Sequence, residues 1–155
     1  MKEKSVSHII NRAEQWNLNQ KASFTKTISE SDVYLFAGIT GDFNPAHINN
    51  IAAQKNSFGE RIVHGILVTG LISAVIGMKL PGEGTIYLEQ DVKFLKPVKI
   101  GDTVTATVEI VEILNEEKRI LKLDTKVENQ QDEKVIDGYA IVKVAEMGDE
   151  TNEEN

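Results

Sequence analysis

The sequence predicts an α+β fold in a single domain: an antiparallel five-stranded sheet covered by one buried helix. Two observations predict it. From Thr85 onward apolar and polar residues alternate through four successive runs, the period-two pattern of half-buried strands. Ahead of them, Ile62–Met78 (IVHGILVTGLISAVIGM) runs 17 residues with no Asp, Glu, Lys or Arg. That stretch is short for a bilayer span and holds three glycines, so it reads as a helix buried on all sides. Strands segregated from helices exclude a doubly wound sheet, and a sheet with one apolar face needs such a helix as its cover.

Each element has its own signal. Residues 1–20 form a polar extension with a short helix around Ile9–Trp16, and 22–28 form a strand. Ser29 and Asp32 fit a capping box, with Val33, Phe36 and Ala37 giving the i, i+3, i+4 face of a first helix that ends near Gly41. Asn44 suits an N-cap and Pro45 the first position of a second, short helix. The buried helix runs from Gly65 to about Lys79, where Pro81, Gly82 and Gly84 stop it. In the strand runs, Ile86, Leu88, Val92 and Phe94 are expected on one face. So are Val104, Ala106, Val108 and Ile110; then Leu121, Leu123, Thr125 and Val127; then Ile136, Ala140, Val142 and Val144. KPVKIGD (96–102) and ENQQDE (128–133) read as turns. No linker or internal repeat interrupts the series. One domain over 21–145 is expected, followed by an acidic disordered tail over 146–155.

Composition narrows the function. The formal net charge is -7, but the last ten residues carry five acids and no base. The body is therefore near -7 + 5 = -2, with no basic footprint for nucleic acid. There is no cysteine, which excludes a disulfide framework and thiolate chemistry and fits a reducing cytoplasm. The N-terminus lacks the apolar segment of a signal peptide, and no membrane association is expected. Gly82-x-Gly84 precedes a strand directly and is a turn, not a dinucleotide loop. Lys93, Lys96 and Lys99 read as solvated lysines at a strand edge, with contact to a ligand's phosphates the other role open to them.

One stretch concentrates chemistry. ITGDFNPAHIN (Ile39–Asn49) packs Asp42, Asn44, Pro45 and His47 into six residues, in a chain with three histidines. Residue types and spacing alone serve two readings equally. In one, Asp42 and Asn44 cap a helix and His47 is a surface side chain. In the other, Asp42 and His47 form an acid–base pair converging on one water.

The longer segment FAGITGDFNPAHINNIAA (Phe36–Ala53) resembles the signature of the MaoC-like (R)-specific enoyl-CoA hydratases. That pattern is an aromatic residue, Gly-Asp-x-Asn-Pro-x-His, and a small residue six positions on. Phe36, Gly41, Asp42, Asn44, Pro45, His47 and Ala53 fill it. RIVHGILVTGLIS resembles the family's apolar-His-Gly opening of a greasy helix. Pro97, Gly101 and Asp102 match its Pro-x-x-x-Gly-Asp turn. The resemblance covers roughly residues 20–145. Glu60 stands where many relatives have proline.

The resemblance implies a hot-dog fold, in which the sheet wraps around the central helix. It also implies a homodimer, or a higher homo-oligomer built from it, acting on an acyl-CoA. The coenzyme A thioester is then the substrate, with no separate cofactor and no metal. Hydrating a 2-enoyl thioester requires deprotonating water at C3, protonating the α-carbon, and stabilising negative charge on the thioester oxygen. The resemblance gives the first two tasks to Asp42 and His47. It gives the third to the backbone N–H of Gly65, at a helix start where amides lack partners and no Cβ obstructs an approaching oxygen. Asn44, His64, Ser73 and Ile76 are expected around the substrate, the last two along an acyl tunnel. Two other functions stay open: a hot-dog thioesterase, disfavoured because Gly65–Leu80 holds no Asp or Glu, and a non-catalytic acyl-CoA-binding protein.

Overall fold

The computed structural model describes residues 16–145. The expected helix around Ile9–Trp16 (apart from Trp16, which is coil) and the acidic tail lie outside the described residues. The chain runs β1 (Lys21–Thr27), α1 (Glu30–Thr40), α2 (Pro45–Ile48), α3 (Asn50–Ala53), α4 (Gly65–Met78), β2 (Ile86–Phe94), β3 (Thr103–Asn115), β4 (Ile120–Glu128) and β5 (Lys134–Lys143). The strands form one sheet in the order β1-β3-β4-β5-β2, and every neighbouring pair is antiparallel. β1 and β2 are therefore its edges.

Helix starts form where the local chemistry predicts. Ser29 caps α1: its hydroxyl accepts from Asp32 N at 3.2 Å, and Asp32 Oδ2 accepts from Ser29 N at 2.8 Å. Gly41 closes α1 in the left-handed region at φ 80° and donates back to Ala37 O, a conformation that costs glycine little. Asn44 caps α2, its Oδ1 accepting from Ala46 N at 3.1 Å, with Pro45 in the first turn.

The sheet's apolar face closes over α4. Val68, Ile72, Val75 and Ile76 of the helix are buried with Val104, Ala106, Val108 and Ile110 of β3, Leu121, Leu123 and Val127 of β4, and Ile136, Ala140 and Val142 of β5. Dispersion and desolvation on this seam hold the helix in the sheet's concavity, and this is the expected hot-dog arrangement.

Strand β2 departs from the expectation. Tyr87 pairs with Val142 and Glu89 with Ile141, a register shift that leaves Leu88 as an extra residue. Directly paired residues share a face, so the bulge reverses the alternation. Tyr87, Gln90, Val92 and Phe94 oppose the inward-facing Val142, Ala140, Gly138 and Ile136, whereas Ile86 opposes Lys143. Ile86 thus lies on the other face from Val92 and Phe94, and strict period-two counting fails at this point.

Candidate active site

The loop between α1 and α2 carries Asp42, and the first turn of α2 carries His47. A carbonyl oxygen can only accept, so the 2.7 Å contact between His47 Nδ1 and Ile62 O means that Nδ1–H donates. The lone pair then sits on Nε2, the nitrogen able to take a proton from water. Ile62 is itself tied down, because its N–H donates to Ala46 O at 3.1 Å. The segment entering α4 and the first turn of α2 clasp each other twice.

Asp42 lies beside this pair. Its Oδ1 accepts from Asn44 N at 3.2 Å, and its carboxylate is half exposed. His64, the residue before α4, is 2% exposed. Its Nε2 donates to the backbone oxygen of Asp42 at 3.0 Å, and Asp42 Oδ2 lies 3.9 Å from the same nitrogen. The two imidazoles are stacked, with centroids 3.9 Å apart and planes at 30°, and Phe36 packs against His64 at 4.8 Å.

Two cavities meet at the pair. A cleft of about 430 Å³ is bordered by His47, Ile66, Val68, Phe94, Lys96 and Ile136. A smaller one of about 230 Å³ is bordered by Phe36, Thr40, Asp42 and His64. His47, Gly65 and Ile66 border both, so the N-terminus of α4 lies between the two. Unpaired amides at such a terminus favour a developing negative charge.

The expected site residues fall into three groups. Asp42, His47, His64 and Gly65 come together. Asn44 is near them in sequence but acts as the cap of α2 and borders neither cavity. Ser73 and Ile76 do not reach the pair in the single chain: Ser73 is exposed, Ile76 is core, and neither borders either of these two cavities. At about 1.5 Å of rise per residue they lie roughly 12 and 16 Å along the helix from Gly65. The place of Gly65's missing side chain is taken. A Cβ there would lie 2.6 Å from Cε1 of Phe94, so an aromatic ring, not open space, fills the position.

Asp42, His47 and His64 each offer a donor atom within 4.8 Å of the others. At the rim of the larger cleft, Lys96 is ion-paired with Glu133, and this pairing holds the Glu133 carboxyl below the ordinary carboxylate range. Lys99 pairs with Glu60 at 2.5 Å.

The family profile of the MaoC like domain matches residues 13–134. The chain belongs to the MaoC-like family. Over 129 residues this MaoC-like chain is 50% identical to the (R)-specific enoyl-CoA hydratase of Rhodospirillum rubrum, covering 83% of this chain and 88% of that one. Over 119 residues it is 48% identical to the 3-hydroxybutyryl-CoA dehydratase of Methylorubrum extorquens, covering 77% and 74%. Among solved structures it resembles the unliganded R-hydratase of Pseudomonas aeruginosa, with TM-score 0.80 and 43% identity over 84% of this chain and 83% of that one.

Two participants in this MaoC-like site leave no signature in the sequence. The Ile62 carbonyl is backbone, 15 residues from the histidine it orients. Phe94 reads as a strand residue, and only the tertiary packing of β2 against α4 brings it to Gly65. Among the described residues no helix is long and apolar enough to cross a membrane.

Proposed function

We propose that the chain catalyses the reversible hydration of trans-2-enoyl-CoA to (R)-3-hydroxyacyl-CoA. The observation that carries this reading is the orientation of His47. Its Nδ1–H is held by Ile62 O, which leaves Nε2 to accept a proton beside the Asp42 carboxylate and the start of α4. Asp42 and His47 position water for attack on C3, one abstracting its proton while the other delivers a proton to the α-carbon, an arrangement worth about 10²–10⁴-fold per group. The Gly65 N–H accommodates the charge that grows on the thioester oxygen as the enolate forms. The larger cleft, of about 430 Å³, has a size that suits a small-molecule chain. Relatives named as hydratases and dehydratases of coenzyme A thioesters support the same reading.

The working unit is a homodimer, or an oligomer built from it, in the cytoplasm. Edge strands require covering or pairing, and β2 is an edge on which Ile86 and Leu88 are exposed. Covering the exposed side of α4 by a second chain would turn Ser73 into a tunnel wall beside Ile76. The substrate's own coenzyme A is the sole non-protein group the reaction requires.

Crotonyl-CoA tests the reading. Loss of the enoyl absorbance without free thiol is expected. Release of thiol would identify a thioesterase, and binding without turnover an acyl-CoA-binding protein. The product is expected not to reduce NAD with an (S)-specific 3-hydroxyacyl-CoA dehydrogenase; rapid NADH formation would overturn the stereochemistry.

A further inference from the structure

We infer that His64 is a positioning residue: it fixes the Asp42 backbone through Nε2 and does not act on the substrate itself. The inference rests on the hydratase reading. Asp42 is exposed, in a loop whose neighbours Gly41 and Phe43 are exposed too. Its carboxylate has one hydrogen bond among the described residues, from Asn44 N within its own turn at 3.2 Å. The remaining local contact is Asp42 N donating to Thr40 Oγ1 at 3.3 Å. The His64 Nε2–H bond to Asp42 O, at 3.0 Å, spans 22 residues. Among the described residues it is the one hydrogen bond that ties Asp42 to the segment leading into α4. Where that carbonyl sits determines where the carboxylate sits.

The donor is itself fixed. His64 is 2% exposed, stacked on His47 at 3.9 Å and packed on Phe36 at 4.8 Å. Its Nδ1 is buried with no hydrogen-bond partner. Moving the proton from Nε2 to Nδ1 would place an N–H where no acceptor lies and set a lone pair against the Asp42 carbonyl. The tether therefore has one polarity, and its ring stacks on the base it helps align. Geometry of this kind is sensitive: a displacement of about 1 Å in a reacting group can cost on the order of 10²-fold in rate.

Side-chain length separates this role from plain packing. The amide nitrogen of glutamine reaches the place of imidazole Nε2, whereas that of asparagine reaches only the place of Nδ1. In the full-length protein, His64→Gln is expected to keep kcat for crotonyl-CoA within about fivefold of wild type, while His64→Asn and His64→Phe lose about 10²-fold, with KM in each moving less than about threefold. Circular dichroism and melting temperature compare the folded state of each variant. In the wild type, a long-range ¹H–¹⁵N spectrum, assigned by the signal missing from His64→Gln, is expected to show Nε2–H with an unprotonated Nδ1.

His64→Asn matching His64→Gln in kcat would overturn the inference, as would a rise in KM at unchanged kcat, which would make His64 a substrate contact. The Nδ1–H form in the spectrum would overturn it whatever the turnover or folding of the variants. A wild type that hydrates while the variants behave alike defeats this inference alone. A wild type that does not hydrate defeats the functional reading and this inference with it.

Discussion

The ring of Phe94 occupies the space that a side chain on Gly65 would claim, with Cε1 and Cδ1 lying 2.6 and 2.9 Å from an ideal Cβ. Phe94 is half exposed, so its ring can turn away, at the expense of the cleft it borders. Gly65→Ala is therefore expected to fold and to raise KM for crotonyl-CoA more than it lowers kcat. Adding Phe94→Ala should remove most of that penalty. A double-mutant cycle on kcat/KM is expected to give a coupling of about 0.5–3 kcal/mol; simple additivity would show that the two residues do not share the substrate's path.

Gly65→Ala also calibrates the oxyanion contact. Gly65→Pro crowds Phe94 with a ring of its own and in addition removes the N–H. Proline is tolerated in a first helical turn, and His64 already has ψ 127°, the extended geometry that precedes proline. The ratio of kcat between the alanine and proline variants should be about 10²–10³, the usual effect of one oxyanion donor. A ratio near one would move that contact away from residue 65.

Asp42→Asn and His47→Gln should each lower kcat by on the order of 10²-fold or more with the fold intact. Asparagine at 42 can still accept the N–H of Asn44, so the turn survives while the proton acceptor is lost. Circular dichroism and steady-state kinetics on the same samples check this. Turnover above about a tenth of wild type would remove that residue from the mechanism.

Acid should loosen α1 at a defined place. The Ser29 backbone N–H, followed by the Ser29 hydroxyl and Lys26, holds the Asp32 carboxyl below its ordinary value of 3.8. A depressed native pKa stabilises the fold fully above the unfolded value, and that contribution is lost as pH falls through the native one. Urea melts should show wild type above Asp32→Asn at neutral pH, with the gap closing below about pH 3.8. Ser29→Ala should cost about 1 kcal/mol at neutral pH through the lost cap.

The β2 edge yields a test of assembly. Light scattering should report twice the mass of one chain, and Leu88→Lys should shift the protein toward the monomer by placing a charge on the pairing edge. A wild type that remains monomeric at micromolar concentration would remove the dimer from the proposal.

Features governed by neighbours in the chain were legible in the sequence. The Ser29–Asp32 box, the Asn44-Pro45 start and the uniformly apolar α4 each depend on residues a turn apart, where propensity and capping decide. The alternation of β4, and of β3 as far as Ile110, was equally readable. Legibility ended where geometry is set at a distance. The bulge at Leu88 depends on how β2 meets β5. The burial of His64 depends on what packs around it after folding. The Phe94–Gly65 contact joins residues 29 positions apart by sequence number, with no periodicity to announce it.

The clasp between His47 and Ile62 bears on how this site can change over time. The group that fixes the proton on Nδ1 is a peptide oxygen, which every amino acid supplies. Point substitutions at position 62 can therefore reshape the cleft wall while the base keeps its tautomer, so substrate range is free to drift apart from proton chemistry. Losing the tautomer takes a change in chain path, such as an insertion between α3 and α4. Libraries that vary residue 62 should accordingly yield altered chain-length preference far more often than dead enzyme.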